Sequence, residues 1–371
     1  MDRSMDLNSK IYVAGHRGLV GSAIVASLKK RGYKNFILRA HSELNLRDQQ
    51  AVNSFFNEEK PEYVFLAAAK VGGIYANSKF RAQFLLENLE IQNAVIQASH
   101  VHGVKKLIFL GSSCIYPKNA PQPMSEEDLL TSPLEYSNEP YAIAKIAGLK
   151  LCEAFNQQYG TNFISVMPTN LYGYNDNFHL RNSHVLPALI RKMYLSRCLD
   201  EQNLEAIRRD LAKYPQDEIS HTSPEDEILK FLADQGIERK VKDGNFETTL
   251  AIWGTGKPLR EFLWSEDMAD ACIFLLENVD FNDIVLQREA QGKNEIKNTH
   301  INIGTGLEIS IRDLAFLIKS IVGYSGKLVF DPAYPDGTPR KLLDVNRLRA
   351  LGWQHTVDLE DGIRRVFSRY I

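Results

Sequence analysis

The chain has 371 residues, 44% hydrophobic and 24% charged, and its 44 Lys and Arg against 46 Asp and Glu give a net charge of −2. That balance excludes a protein that holds nucleic acid or an acidic membrane surface through excess basic charge. The length is ample for a large core with a second lobe.

Cys114, Cys152, Cys198 and Cys272 lie far apart, with no C-x-x-C pair and no metal-ligand spacing. No metal site is expected, and the chain reads as a reduced, cytoplasmic protein. The polar opening MDRSMDLNSK lacks the apolar segment of a secretory signal. No apolar run reaches the roughly 18 residues of a membrane span.

In chain order, KIYVAG (10–15) reads as a buried strand, followed by an amphipathic helix over 19–32 that Gly32 stops. FILRA (36–40) is a second strand, and RDQQAVNSFFNEEK a helix that ends before Pro61. YVFLAAA (63–69) is a third strand, with a long helix over 80–103 behind it. KKLIFLGS gives a fourth strand; the next helix carries Pro140 in its first turn, and FISVMPTNLYG (163–173) is a fifth strand. Strands rich in Val, Ile and Leu that alternate with helices specify a Rossmann-type, doubly wound α/β fold with a parallel sheet.

Beyond about residue 175 the pattern loosens. Residues 196–247 are charged and helix-prone, and read as a surface insertion without a catalytic role. A helix over about 265–278, a strand HINIG (300–304) and a last helix pair follow. The expected domains are a dinucleotide-binding body over 9–175, with 261–304 returning to it, and a smaller α/β substrate lobe from 176–260 and 305–371.

GHRGLVG sits between the first strand and the first helix with the spacing G-x-x-G-x-x-G. Gly15, Gly18 and Gly21 let the backbone approach a pyrophosphate, whose charge suits the helix N-terminus. Strand before and helix after favour a dinucleotide site over a bare glycine turn, with His16, Arg17, Leu19 and Val20 completing it. Arg17 in the loop, with Arg39 and His41 past the second strand, favours a 2′-phosphate and so NADP(H). Glu43 just beyond keeps NAD open.

Tyr141 and Lys145 lie one helical turn apart on one face. A phenol titrates near pH 10, and a cation beside it is expected to bring that value toward neutrality. Ser112, at the fourth strand's end, can bond the same substrate oxygen. Y-x-x-x-K alone is a weak pattern; behind the glycine loop and the serine it marks a hydride-transfer site. These residues resemble the short-chain dehydrogenase/reductase superfamily, in the extended branch that acts on nucleotide sugars. The resemblance implies hydride transfer between C4 of a sugar and a nicotinamide, with Tyr141 as acid or base on O4 and Lys145 on the nicotinamide ribose. It also implies cofactor contacts from Asn45, Leu46, Ala67 and Ala68, from Leu110, Gly111 and Ser113, and from Pro168, Thr169, Asn170, Leu171 and His184.

Taken alone, Cys114 in GSSCIYP is a small core hydrophobe. Dehydratases of this branch carry Asp-Glu where this chain has Ser113-Cys114. GSSCIYP, EPYAIAK, PTNLYG and NSHVLPAL, with AAAKVGGIYAN, WGTGKPLREF and DGTPRKLLDV, are similar to members that epimerise C3 and C5 of GDP-4-keto-6-deoxy-D-mannose and then reduce its C4 ketone with NADPH. The likeness covers nearly the whole chain and breaks at 196–247. It also differs at His41 and Lys192, where arginines are expected.

A C4 ketone acidifies the protons on C3 and C5. A thiol and an imidazole titrate near enough to neutrality to remove and return them, which suits Cys114 as base and His184 as acid. Tyr141, Lys145 and Ser112 then hold the enolate oxygen and protonate it. The resemblance puts Lys192, Trp253, Arg260, Lys327 and Asp336 at the nucleotide sugar, with Lys192 and Arg260 on its diphosphate and Trp253 on its base or ribose. Without it, Trp253 reads as core, His184 as a helix-start residue and Lys327 as a solvated charge. Cys152, Cys198 and Cys272 read as structural. The helices over 80–102 and 141–159 are expected to pair with their copies in a homodimer. A simple 4-epimerase or 4-ketoreductase needs no thiol at 114, and a non-catalytic NADP-binding regulator would be expected to have lost Tyr141 or Lys145.

Overall fold

Runs of Val, Ile, Leu and Phe without polar interruption are satisfied only when both faces of a strand are covered. The computed structural model, which describes residues 5–242, 245–334 and 336–371, covers them in this way. The strands β1 (Ile11–Ala14), β2 (Phe36–Ile37), β3 (Tyr63–Leu66), β4 (Lys106–Leu110) and β5 (Phe163–Pro168) join Ile301–Ile303 in one six-stranded sheet. Every pairing in it is parallel, in the order Ile301–Ile303, β5, β4, β3, β1, β2.

The helices between them are α1 (Leu19–Lys30), α2 (Gln49–Glu59), α3 (Ile74–Lys79), α4 (Arg81–Val101) and α5 (Glu139–Tyr159). On one face of the sheet, Phe55 and Phe56 of α2, Val95 of α4 and Leu149 of α5 pack on Tyr12 and Phe109. On the other, Ile24 and Leu28 of α1 join Met268 and Leu276 of the helix Ser265–Asn278 over Ile11, Val13 and Ile108. The strands β2 and β3 lie on opposite sides of β1, so the loop after β1 opens at the point where strand order reverses, the usual ligand position of such sheets.

The fifth strand is shorter than its apolar run. After β5 the chain forms β6 (Asn170–Tyr172), which pairs with Phe262–Trp264 in a separate sheet. Thr169 Oγ1 and Asn170 Nδ2 both donate to the Glu261 carbonyl, at 3.3 and 2.8 Å, and turn the strand onto that partner.

By contact density the chain forms two units: Met1–Asn175, Glu261–Leu307 and Leu342–Val357, and Asp176–Arg260, Glu308–Lys341 and Asp358–Ile371. The boundary expected at 305 therefore needs a correction, because 342–357 belongs with the first unit. Leu343 N donates to Glu261 Oε2 at 3.0 Å and Asn302 Nδ2 to the Asp344 carbonyl at 3.1 Å, while Trp353 Nε1 donates to Asp270 Oδ2 at 2.9 Å.

The second unit contains α6 (Val185–Asp200), α7 (Leu204–Lys213), α8 (Glu225–Asp234), β7 (Ile237–Lys242) and β8 (Asn245–Trp253). In its sheet β8 is central, antiparallel to β7 and parallel to Lys327–Asp331. The 196–247 stretch, of which residues 243 and 244 lie outside the described residues, is not a surface insertion. Ile207, Leu211, Ile228, Leu232 and Ile237 are buried. Asp210 of α7 accepts from Arg191 Nε at 2.9 Å and pairs with its Nη2 at 2.8 Å, and Tyr370 donates to the same carboxylate. The buried guanidinium also donates to the carbonyls of Phe178 and Tyr214, each at 2.8 Å. Among the described residues no helix is long and apolar enough to cross a membrane.

Candidate active site

The glycine loop is shaped by close backbone approach. Gly15 has φ +82°, and a Cβ there would lie 2.7 Å from Ala68 N and 2.9 Å from the Ala67 carbonyl carbon. A Cβ on Gly21 would lie 2.1 Å from Gly15 O. Gly18 N donates to Gly15 O at 3.0 Å and closes the turn, and Gly18 starts α1 without a capping side chain. His16 Nδ1 is buried and lacks a hydrogen-bond partner; burial, then the charge of Arg17, holds its imidazolium below the usual pKa. A cradle that any side chain would fill, an uncapped helix start and an unpaired ring nitrogen fit a pyrophosphate.

Arg39 is engaged elsewhere. Its guanidinium pairs with Glu59 and lies over the Phe55 ring, 5.6 Å from the centroid. Glu43 accepts from Ala40 N at 2.6 Å, and Asn45 accepts from Arg47 N at 3.2 Å. Arg17 and His41 are exposed, and Leu46 packs against the core.

At the end of β4, Gly111 N donates to the Val166 carbonyl at 2.8 Å, and a Cβ there would lie 2.2 Å from the Met167 side chain. Ser112 Oγ accepts from Cys114 N at 3.3 Å and caps a 3₁₀ turn over Ser113–Ile115. Cys114 on that turn is 7% exposed. On α5, which carries Pro140 in its first turn, Lys145 is buried and donates to the Leu110 carbonyl at 2.8 Å. Its Nζ lies 5.0 Å from the Phe109 ring centroid and 5.7 Å from that of Tyr141. Ser112, Cys114, Tyr141 and Lys145 are thus brought to one end of one strand.

The expected lowering of the Tyr141 pKa is not found. Burial, then the nearby Cys114, pushes the phenol well above its usual range, and Lys145 points its ammonium at a carbonyl instead. Lys145 itself is pushed down to about 8 by burial, which Cys114 partly opposes. Tyr141 is therefore a neutral hydrogen-bond donor at neutral pH.

In the second unit His184 precedes α6 as its N-cap residue. Partial desolvation holds its imidazolium below the usual pKa, although the residue keeps an exposed edge. Lys192 of α6 donates to the Gln235 carbonyl at 2.8 Å, and burial plus the Arg181 charge pushes it down to about 8. Gln235 follows α8, so the 196–247 stretch holds one of the expected diphosphate ligands.

Trp253 is 65% exposed, which excludes the core reading, and it stacks on Tyr334. Asp336 accepts from Thr255 N at 2.8 Å and from its hydroxyl at 2.7 Å; these bonds hold its carboxyl below the usual range. Arg260 is half-buried and within electrostatic reach of Asp336. Trp253, Arg260 and Asp336 come together as expected of a binding site, but Lys327 does not join them. It pairs with Glu247 at 3.2 Å at the start of a strand whose last residue, Asp331, is the one opposite Trp253, about 13 Å further on. Tyr334 was not foreseen; an aromatic just before Pro-Asp-Gly was the available signal.

A family model described as the NAD dependent epimerase/dehydratase family matches residues 11–211 and 228–304. GDP-L-fucose synthase 1 of Arabidopsis thaliana is 48% identical over 366 residues, 99% of this chain and 94% of that protein. GDP-L-fucose synthase of Escherichia coli K12 is 45% identical over 363 residues, 98% of this chain and 96% of that one. Among solved structures, a GDP-D-glycero-L-gluco-heptose synthase from Campylobacter jejuni, determined in the presence of NADPH, is 44% identical, covers 99% of both chains and has a TM-score of 0.88.

Proposed function

The chain belongs to the NAD-dependent epimerase/dehydratase family, and within it we propose the GDP-L-fucose synthase reaction: epimerisation of GDP-4-keto-6-deoxy-D-mannose at C3 and C5, then reduction at C4. The cofactor is NADP(H), which supplies hydride to C4 when bound in the Gly15–Gly21 cradle. The exposed Arg17 and His41 supply cationic and hydrogen-bonding groups for its 2′-phosphate.

Cys114 removes the proton next to the ketone, and His184 returns one with inverted configuration. Ser112 and Tyr141 donate hydrogen bonds to O4 while it carries enolate charge. Tyr141, kept protonated by burial, then gives its proton to O4 during reduction, and the Lys145 cation steadies the charge left on the phenol. The observation that carries the reading is the thiol of Cys114 on the turn that Ser112 caps, beside Tyr141 and Lys145. One oxygen-binding group then serves both steps.

A homodimer through α4 and α5 is part of the proposal, supported by the exposed apolar side chains of Leu86, Val101 and Ile143. Four buried thiols, none in a disulfide, suit a reducing compartment, the cytoplasm.

The test supplies GDP-4-keto-6-deoxy-D-mannose and follows NADPH oxidation and product stereochemistry. No oxidation with NADPH or NADH would overturn the reading. Cys114→Ser should suppress exchange of the C3 and C5 protons with heavy water while NADPH still binds. A second reading, a 4-ketoreductase of GDP-heptoses, is favoured by the likeness to a GDP-mannoheptose C4 reductase from C. jejuni, 44% identical with a TM-score of 0.84. Faster reduction of a GDP-4-keto-heptose, without proton exchange at C3 and C5, would decide for it.

A further inference from the structure

Trp253 is the last residue of β8, and Tyr334 lies three residues past the C-terminal end of the adjacent parallel strand Lys327–Asp331. Their rings are parallel to within 8° with centroids 4.4 Å apart, yet Tyr334 is 42% exposed and Trp253 more so. Burial in a core does not explain the pair, because each ring keeps a face or an edge in water.

The loop that carries Tyr334 is fixed from both sides. Tyr334 N donates to the Asp331 carbonyl at 3.3 Å, and Ala333 N to Asp331 Oδ1 at 3.0 Å. Two residues on, Asp336 is clamped by Thr255, the second residue after Trp253. Gly254 has φ +84°, and a Cβ there would lie 2.4 Å from Asp336 Oδ1, so the two loops meet with no room for a side chain. Arg260 borders the same loop: a Cβ on Gly337 would lie 3.0 Å from its Nη2. An open indole face near a guanidinium matches an aromatic base that carries phosphates.

We propose that Tyr334 is a positioning residue of the nucleobase subsite: it backs one face of the Trp253 indole so that the purine of the nucleotide sugar stacks on the other. The proposal rests on the reading of the substrate as a GDP-sugar. An indole alone on an exposed strand end moves among rotamers, and binding must then immobilise it. Backed by Tyr334, it is ordered beforehand, which is worth roughly three- to tenfold in affinity. The ring does this, not the hydroxyl.

The test uses the protein's own fluorescence. Trp264 and Trp353 are 1% and 5% exposed, so quenching by added GDP reports Trp253. GDP is titrated into the wild type, Tyr334→Ala and Tyr334→Phe, with ribose 5-phosphate as a ligand that lacks the base. Tyr334→Ala should weaken GDP and raise the KM for the nucleotide sugar by the same factor, roughly three- to tenfold, with kcat and the KM for NADPH unchanged. Tyr334→Phe should restore both values, and binding of ribose 5-phosphate should not respond to either change. If the wild type does not bind GDP, the GDP-sugar reading fails, and this proposal with it. If it binds GDP and Tyr334→Ala binds equally well, the role of Tyr334 alone is refuted. A Phe variant as weak as the Ala variant, or a fall in kcat at constant KM, also overturns it.

Discussion

At the end of β4 two of the groups proposed for chemistry are buried, Lys145 at 3% and Cys114 at 7% exposed, and Ser112 and Tyr141 beside them are half-buried. At the recognition end of the second unit Trp253, Tyr334 and Asp336 are all exposed, while Lys192 and Arg260 are half-buried. The first set sits on a strand end, a 3₁₀ turn and a helix; the second sits largely on loops that follow strands. The difference follows from the work each does. Proton transfer needs pKa values moved by desolvation and a fixed geometry, while recognition gains by releasing water only when the ligand arrives.

The comparison can be broken in graded steps. Tyr141→Phe should have the largest effect, lowering kcat for reduction by about 10²–10⁴-fold. The dissociation constant for NADPH, measured by fluorescence, should stay within about threefold. A collapse of NADPH binding with surviving chemistry would move Tyr141 from the reacting set to the binding set.

Asp210→Ala tests whether the wet face depends on a dry support. It leaves the fully buried Arg191 without its carboxylate and should destabilise the protein by about 3–5 kcal/mol in denaturant titration. Were α7 a mere surface addition, the loss would stay under about 1 kcal/mol.

Lys145 gives the comparison a pH signature. Burial lowers its pKa to about 8, against about 10.4 in an unfolded chain. Between those values the unfolded state binds more protons, so stability should rise with pH from about 8 toward 10.4, by about 3 kcal/mol in all. Below pH 8 both states are protonated and the full burial penalty remains. Lys145→Met should abolish reduction, raise Tm at pH 7 and remove the rise with pH. In the wild type, kcat/KM should fall as pH passes about 8, where the cation is lost. A variant less stable than wild type at pH 7 would mean that the Leu110 hydrogen bond outweighs desolvation.

The smallest effect belongs to Lys327→Ala. An exposed pair with Glu247 contributes within about 1 kcal/mol, and the KM for the nucleotide sugar should shift by less than about twofold. A tenfold rise would return Lys327 to the substrate site and blur the division between support and recognition.

Where a feature depends on neighbours in the chain, its residues could be read directly. The alternation of apolar strands and helices gave the doubly wound sheet, and the G-x-x-G-x-x-G spacing gave the loop that close approach at Gly15 and Gly21 demands. Tyr141 and Lys145 share a helix face because they are one turn apart. The reading failed where strands end, as at β6, and where a charged pattern hid a core, as in α7 and α8. There, apolar residues every third or fourth position were outnumbered by charges that face solvent.

What the sequence by itself determined, then, is the fold class, the phosphate loop and the pairing of Tyr141 with Lys145 on one helix face, since each is written in periodicity or spacing over a few residues. Only the tertiary structure decided that Arg191, Asp210 and Tyr370 form one buried group, the last two being 160 residues apart. It also decided that Trp253 meets Tyr334, that Lys327 is turned away to Glu247, and that Tyr141 is held neutral rather than ionised. The physical reason is common to all four: pairing across the chain and loss of water are properties of packed volume, and a linear order of residues does not specify what that volume excludes.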